Sequence, residues 1–103
     1  MSAPGHAQWW LATLGRTVVW ARLRECEAGT AEVFDCDGNT LAYDSVDSAR
    51  AALLDAEFVE FDGLDAEDAQ ARGFLLAELV PPQGADDAAL RAAMVQTFGR
   101  ERG

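Results

Sequence analysis

Residues 17–26, TVVWARLREC, constrain the fold more than any other part of the chain, because their β-branched and aromatic content and two-residue alternation suit a strand. Val19, Ala21 and Leu23 fall on one face, and Val18, Trp20, Arg22 and Arg24 on the other. The EAG that follows reads as a turn and TAEVFDC as an antiparallel return. Asp37, Gly38 and Asn39 then form a second turn leading into TLAYD. A three-stranded antiparallel meander is the expected result. A register with Leu23 opposite Phe34, Ala21 opposite Cys36, and Leu41 opposite Phe34 on the far side gives one apolar face that also takes in Val19 and Tyr43. The same register sets Arg22 against Asp35 on the outer surface. It separates Cys26 from Cys36 along the sheet, which argues against a disulfide between them.

Ser45 is placed to cap a helix over residues 46–56, with Asp47 near its positive end. Its stripe of Val46, Ala49, Leu53 and Leu54 would cover the meander. Phe58 and Phe61, three apart, fit a helical continuation. Asp65, with Asp68 at the third helical position and Gly73 at the end, predicts a short helix over 66–72. GFLLAELV suits a buried strand or a helical turn, and Pro81 and Pro82 stop regular structure after it. Beyond a QGADD linker, Asp86 or Asp87 caps a helix with Leu90, Met94 and Phe98 at four-residue spacing, widened by Val95. The fold class expected is α+β: a three-stranded antiparallel meander covered by a helix, followed by a mostly helical C-terminal part. An alternative adds residues 9–14 and 75–80 as strands. The 103 residues suit one small acidic domain, with flexible ends expected at 1–7 and 100–103.

Charge bounds the function. Eighteen Asp and Glu against eight Arg, and no Lys, give a net charge of -10, while half the residues are apolar. That pairing describes a folded domain with a negative surface, not a disordered chain, and it argues against direct nucleic-acid binding and against docking on an anionic membrane. Fourteen of the acids lie between Glu25 and Asp68, where Arg50 is the only base. Such a surface attracts a basic protein, or simply keeps an apolar domain solvated. No apolar run approaches the roughly 20 residues that span a bilayer, and the N-terminus lacks the pattern of a secretory signal, so the expected location is cytoplasmic.

The chemical motifs fall short of known sites. Counted from Asp35, Gly38 is fourth and Val46 twelfth, where a calcium loop needs glycine sixth and glutamate twelfth; a hairpin turn explains the segment. Glu57 and Glu60 are the right type for acid–base catalysis, but nothing in the sequence separates their environments. His6, the only histidine, lies close to the N-terminus. Cys26 sits among mixed charges, and Cys36 lies between two aspartates that disfavour a thiolate. There is no phosphate-binding glycine loop, and Arg16, Arg22 and Arg24 beside Trp20 make a weak basic island. No metal, cofactor or catalytic residue is therefore expected.

Trp9 and Trp10 are adjacent and cannot both enter one narrow core from an extended segment, and Trp20 falls on the outer face of the expected meander. The expected function is a non-enzymatic interaction or regulatory domain that binds a protein partner through acidic and aromatic surface. The candidate contact residues are Trp9, Trp10, Trp20, Glu57, Glu60 and Asp62. A structural homo-oligomer without a separate ligand site is the alternative, and an enzyme with an unrecognised carboxylate site is a distant third.

Overall fold

The computed structural model describes residues 7–26 and 28–98. They form an antiparallel sheet of six strands with three helices: β1 (Ala7–Leu14), β2 (Thr17–Glu25), β3 (Ala31–Phe34), β4 (Thr40–Tyr43), α1 (Val46–Asp55), β5 (Val59–Glu60), α2 (Ala66–Ala71), α3 (Asp87–Ala92) and β6 (Val95–Thr97). The sheet order is β4-β3-β2-β1-β5. β6 pairs with the first half of β2, Thr17 to Val19, while β3 pairs with its second half, Arg22 to Glu25. The fold is mixed α+β, as the alternation and capping signals imply, but richer in strand and less helical at its C-terminal end than the sequence suggests.

The meander and its covering helix are present, and the extra strand at residues 9–14 is real. It belongs to β1, which pairs with β2 along its whole length, Ala7 opposite Arg24 through Leu14 opposite Thr17. Gly15, at φ 59, makes the two-residue turn between them. The expected register is corrected by one residue. Cys26 N–H donates to Thr30 C=O, closing on the three residues EAG, whereas the expected register set Cys26 opposite Ala31 and needed a loop one residue longer; Leu23 therefore faces Val33 and Arg22 faces Phe34. Because side chains alternate, this slip turns Ala31 and Val33 toward α1 and sends Phe34 to the other face. Leu41 accordingly pairs with Val33, not Phe34. Asp35 stays in its turn, where its carboxylate accepts the N–H groups of Asp37 and Asn39. Arg22 instead stacks on Phe34, 5.1 Å from the ring centroid, and reaches Asp87 on α3 at 3.8 Å. Burial, followed by the nearby Arg24, lowers its pKa.

Both faces of the sheet are covered. On one, Trp10, Ala21, Leu23, Ala31 and Val33 pack under Ala49 and Leu53 of α1. On the other, Leu11, Val18, Trp20 and Phe34 pack under Ala69, Phe74, Leu79, Leu90 and Met94 from the second half of the chain. Adjacent Trp9 and Trp10 therefore point to opposite faces, and the outer placement inferred for Trp20 is corrected: it is 0% exposed, and Trp10 is 1% exposed. The near-continuous apolar run at Val18–Val19–Trp20–Ala21 reflects a strand buried on both sides.

Ser45 caps α1 by accepting the Ser48 N–H, and Leu54, expected in the buried stripe, is 57% exposed. The helical continuation through Phe58 and Phe61 does not form. Glu57 takes a left-handed conformation at φ 70, Val59 and Glu60 pair with Leu11 and Trp10, and Phe61–Gly63 makes a 3-10 turn. Asp65 and Asp68 cap α2 reciprocally. Residues 75–80 contain a 3-10 turn, Leu76–Glu78, and no strand. Asp86 caps α3, which stops at Ala92; Phe98 joins the core from beyond β6, and Val95 is exposed. Ala7 opens β1 rather than belonging to an end segment; the other expected flexible positions, 1–6 and 100–103, and with them His6, lie outside the described residues.

Candidate functional site

Glu57, Glu60 and Asp62 lie on the connection from α1 to α2, and the fold places this connection along one edge of the sheet. β5 is the last strand on that edge. Six acids and no base occur from Glu57 to Asp68. Glu57 and Asp62 are exposed, as are Asp65, Glu67 and Asp68, while Glu60 is half-buried. Between β5 and α2 runs a groove of about 440 Å3, with Val59, Leu64 and Ala71 as its apolar lining, Glu60 and Asp68 as its carboxylates, and Arg72 as its base. Arg72 is held by donating to the Thr13 hydroxyl at 3.2 Å.

Glu60 is tied into the sheet. It lies across from Trp10, and its carboxylate is 3.3 Å from Arg50 of α1. The Arg50 guanidinium stacks over Trp10 with its carbon 5.3 Å from the ring centroid. The pair considered for acid–base chemistry is thereby divided, since Glu57 ends α1 in solvent and Glu60 is occupied by Arg50.

The aromatics lie beneath this edge. Trp9 meets Trp20 edge-on with centroids 6.1 Å apart, and Trp20 meets Phe61 at 5.4 Å. Phe61 opens the 3-10 turn that carries Asp62, so the aromatic cluster supports the acidic turn from inside. Trp10 and Trp20 have no accessible ring to offer a partner, and Trp9 is half-buried. Of the six candidate contact residues, the three carboxylates share one edge, and the tryptophans serve it as packing.

Sequence reasoning missed the groove's apolar lining and the Arg50 clamp. Val59, Leu64 and Ala71 show no shared periodicity, and nothing local pairs Arg50 with Glu60 across a helix end. A second groove, about 540 Å3, lies between Val80–Pro81–Pro82 and β6, with Glu78 as its one charged lining residue among the described residues. Cys26 and Cys36 are free thiols. Among the described residues no group of three or more His, Cys, Asp or Glu is gathered as metal ligands would be, and no helix is long and apolar enough to cross a membrane. No protein-family model, no curated protein and no solved structure matches the chain.

Proposed function

We propose that the chain is a non-enzymatic interaction domain, acting in the cytoplasm, that docks a basic protein on the acidic edge formed by β5 and the start of α2. The observation that carries this reading is the concentration of six acids in the segment from Glu57 to Asp68, which supplies Glu60 and Asp68 to the wall of a groove with an apolar lining. Apolar contact there supplies binding energy, and the surrounding charge steers and selects a partner of opposite sign. The same field repels nucleic acid. The mechanism is occupancy of a surface, with no bond made or broken.

Affinity capture from host extract at low and at physiological salt tests it, with the Glu57→Gln/Glu60→Gln/Asp62→Asn variant as control. The expected result is a basic protein retained at low salt, weakened at higher salt and lost with the variant while its circular dichroism is unchanged. Binding indifferent to both salt and the variant would sink the proposed surface. Self-association is the second reading, favoured by β4, an uncharged edge strand whose Leu41 is 48% exposed. Concentration-dependent mass of the purified protein without any partner supports that reading instead.

A further inference from the structure

The backbone geometry of β5 points to how the acidic edge is occupied. Leu14 and Thr17 flank the two-residue turn between β1 and β2 and form a hydrogen-bonded pair. Alternation from that pair turns the backbone groups of Leu14, Ala12 and Trp10 toward β2, and those of Leu11 away from it, toward β5. The same parity sends the Trp20 N–H outward on the other side of β2, where it donates to Met94 C=O at 2.8 Å. Leu11 pairs with Val59, so Val59 spends its N–H and C=O on β1, and Glu60 directs its own away from β1 toward the free edge.

We propose that the groove takes an extended segment of the basic partner as a strand added to β5, with Lys or Arg alternating with apolar residues; the proposal rests on the acidic-docking reading above. On the α2 side of such a strand, its apolar side chains enter the lining made by Val59, Leu64 and Ala71. On the α1 side, the alternate Lys or Arg side chains lay their stems over Leu54 and carry their charge toward Glu60. Leu54 lies one helical turn beyond Arg50, on the flank that reaches over β5, and is 57% exposed. Charge complementarity selects this occupant over others. The groove and its surroundings carry Glu57, Glu60, Asp62, Asp65, Glu67 and Asp68 against Arg50 and Arg72, whereas β4 and β6 are uncharged and select no basic partner.

The probe is a capped synthetic peptide of three Arg-Val repeats, compared with the same peptide N-methylated at alternate residues. Methylation removes hydrogen-bond donors along one edge and leaves charge unchanged. Titration calorimetry at low salt is expected to show binding of the parent peptide and a loss of roughly tenfold or more on methylation, equivalent to about 1.4 kcal/mol. Ala71→Gln, a neutral enlargement of an exposed groove residue, is expected to weaken the parent peptide similarly with no change in thermal midpoint. Undiminished binding of the methylated peptide, or undiminished binding to Ala71→Gln, overturns strand addition. If binding is still lost in the Glu57→Gln/Glu60→Gln/Asp62→Asn variant, the acidic-docking reading survives that result. If neither the parent nor the methylated peptide binds, both readings are overturned.

Discussion

Glu57 and Gly73 occupy the same position in the same helix-ending motif. At the end of α1, the N–H groups of Glu57 and Phe58 donate to the C=O groups of Leu54 and Leu53; at the end of α2, those of Gly73 and Phe74 donate to Gln70 and Ala69. Both residues are left-handed, with φ 70 and φ 90. In each case the following phenylalanine packs in the same core as the helical residue whose carbonyl it caps. Only glycine adopts this conformation without a steric cost, which for other residues is about 1–2 kcal/mol.

Replacing Glu57 by Gly is therefore expected to stabilise the fold by about 1 kcal/mol, after allowing for the entropy glycine loses on folding. Gly73→Ala is expected to destabilise it by a similar amount. Urea denaturation of the two variants checks both signs. If Glu57→Gly also weakens binding of the Arg-Val peptide while raising stability, the glutamate is present for its charge and not for the helix end.

The caps were legible in the sequence because they are local. Ser45, Asp65 and Asp86 each sit immediately before their helix and bond to an N–H three residues on. Registers depend on turn length, and the Cys26–Thr30 hydrogen bond closes on the three residues EAG, one fewer than the loop the expected pairing of Leu23 with Phe34 implied, which misplaced Phe34 and all that follows from it. The second core was hidden for another reason. Ala69, Phe74, Leu79, Leu90 and Met94 come from short segments with no common period, so nothing announced that they cover Val18 and Trp20. Even the apparent linker is packed, since a Cβ on Gly84 would lie 2.5 Å from the Leu90 backbone nitrogen. The acidic character of the site was plain from composition, but its groove depends on where β5 and α2 meet.

Arg16, at the tip of the β1–β2 hairpin, ties two separate segments to that hairpin. It donates to the Gly73 carbonyl, stacks over Phe74 with its guanidinium carbon 4.8 Å from the centroid, lies 6.0 Å from that of Phe98, and accepts the Phe98 N–H on its own carbonyl. Lysine keeps the charge but lacks the planar group that stacks and donates at once. Arg16→Lys is expected to cost about 1–2 kcal/mol, and Arg16→Ala more, with the earliest loss of amide protection in residues 72–74 and 95–98 by hydrogen exchange. Uniform loss across the sheet would instead mean that the hairpin tip does not act as a separate clamp.

Cys36 should be a slow nucleophile. Burial first, then Asp37 and Asp35, raise its thiol pKa above the ordinary value. In a Cys26→Ser background, alkylation by iodoacetamide at about pH 8 is expected to be slower in the folded than in the unfolded protein, and Asp37→Asn is expected to speed it. The linked effect has a definite sign. The folded protein holds this proton more tightly than the unfolded chain, so the stabilising contribution is complete below the unfolded-state pKa and is lost as pH rises through the folded value. Alkylation insensitive to Asp37→Asn would remove Asp37 from the protection and leave burial and Asp35.

Arg50 links stability to docking with opposite signs. Its guanidinium covers Trp10 and neutralises Glu60, so Arg50→Ala removes a stacking contact and a partly exposed ion pair, expected to cost about 1 kcal/mol in total. The same change leaves Glu60 uncompensated and makes the groove one charge more negative. Arg-Val peptide affinity at low salt should therefore rise a few-fold in the variant even as its unfolding midpoint falls, and the gain should fade as salt is added. A general loosening of the fold would weaken binding and stability together. An acidic surface that serves only for solvation would leave peptide binding unchanged, so the direction of this one response separates a docking edge from a solvated one.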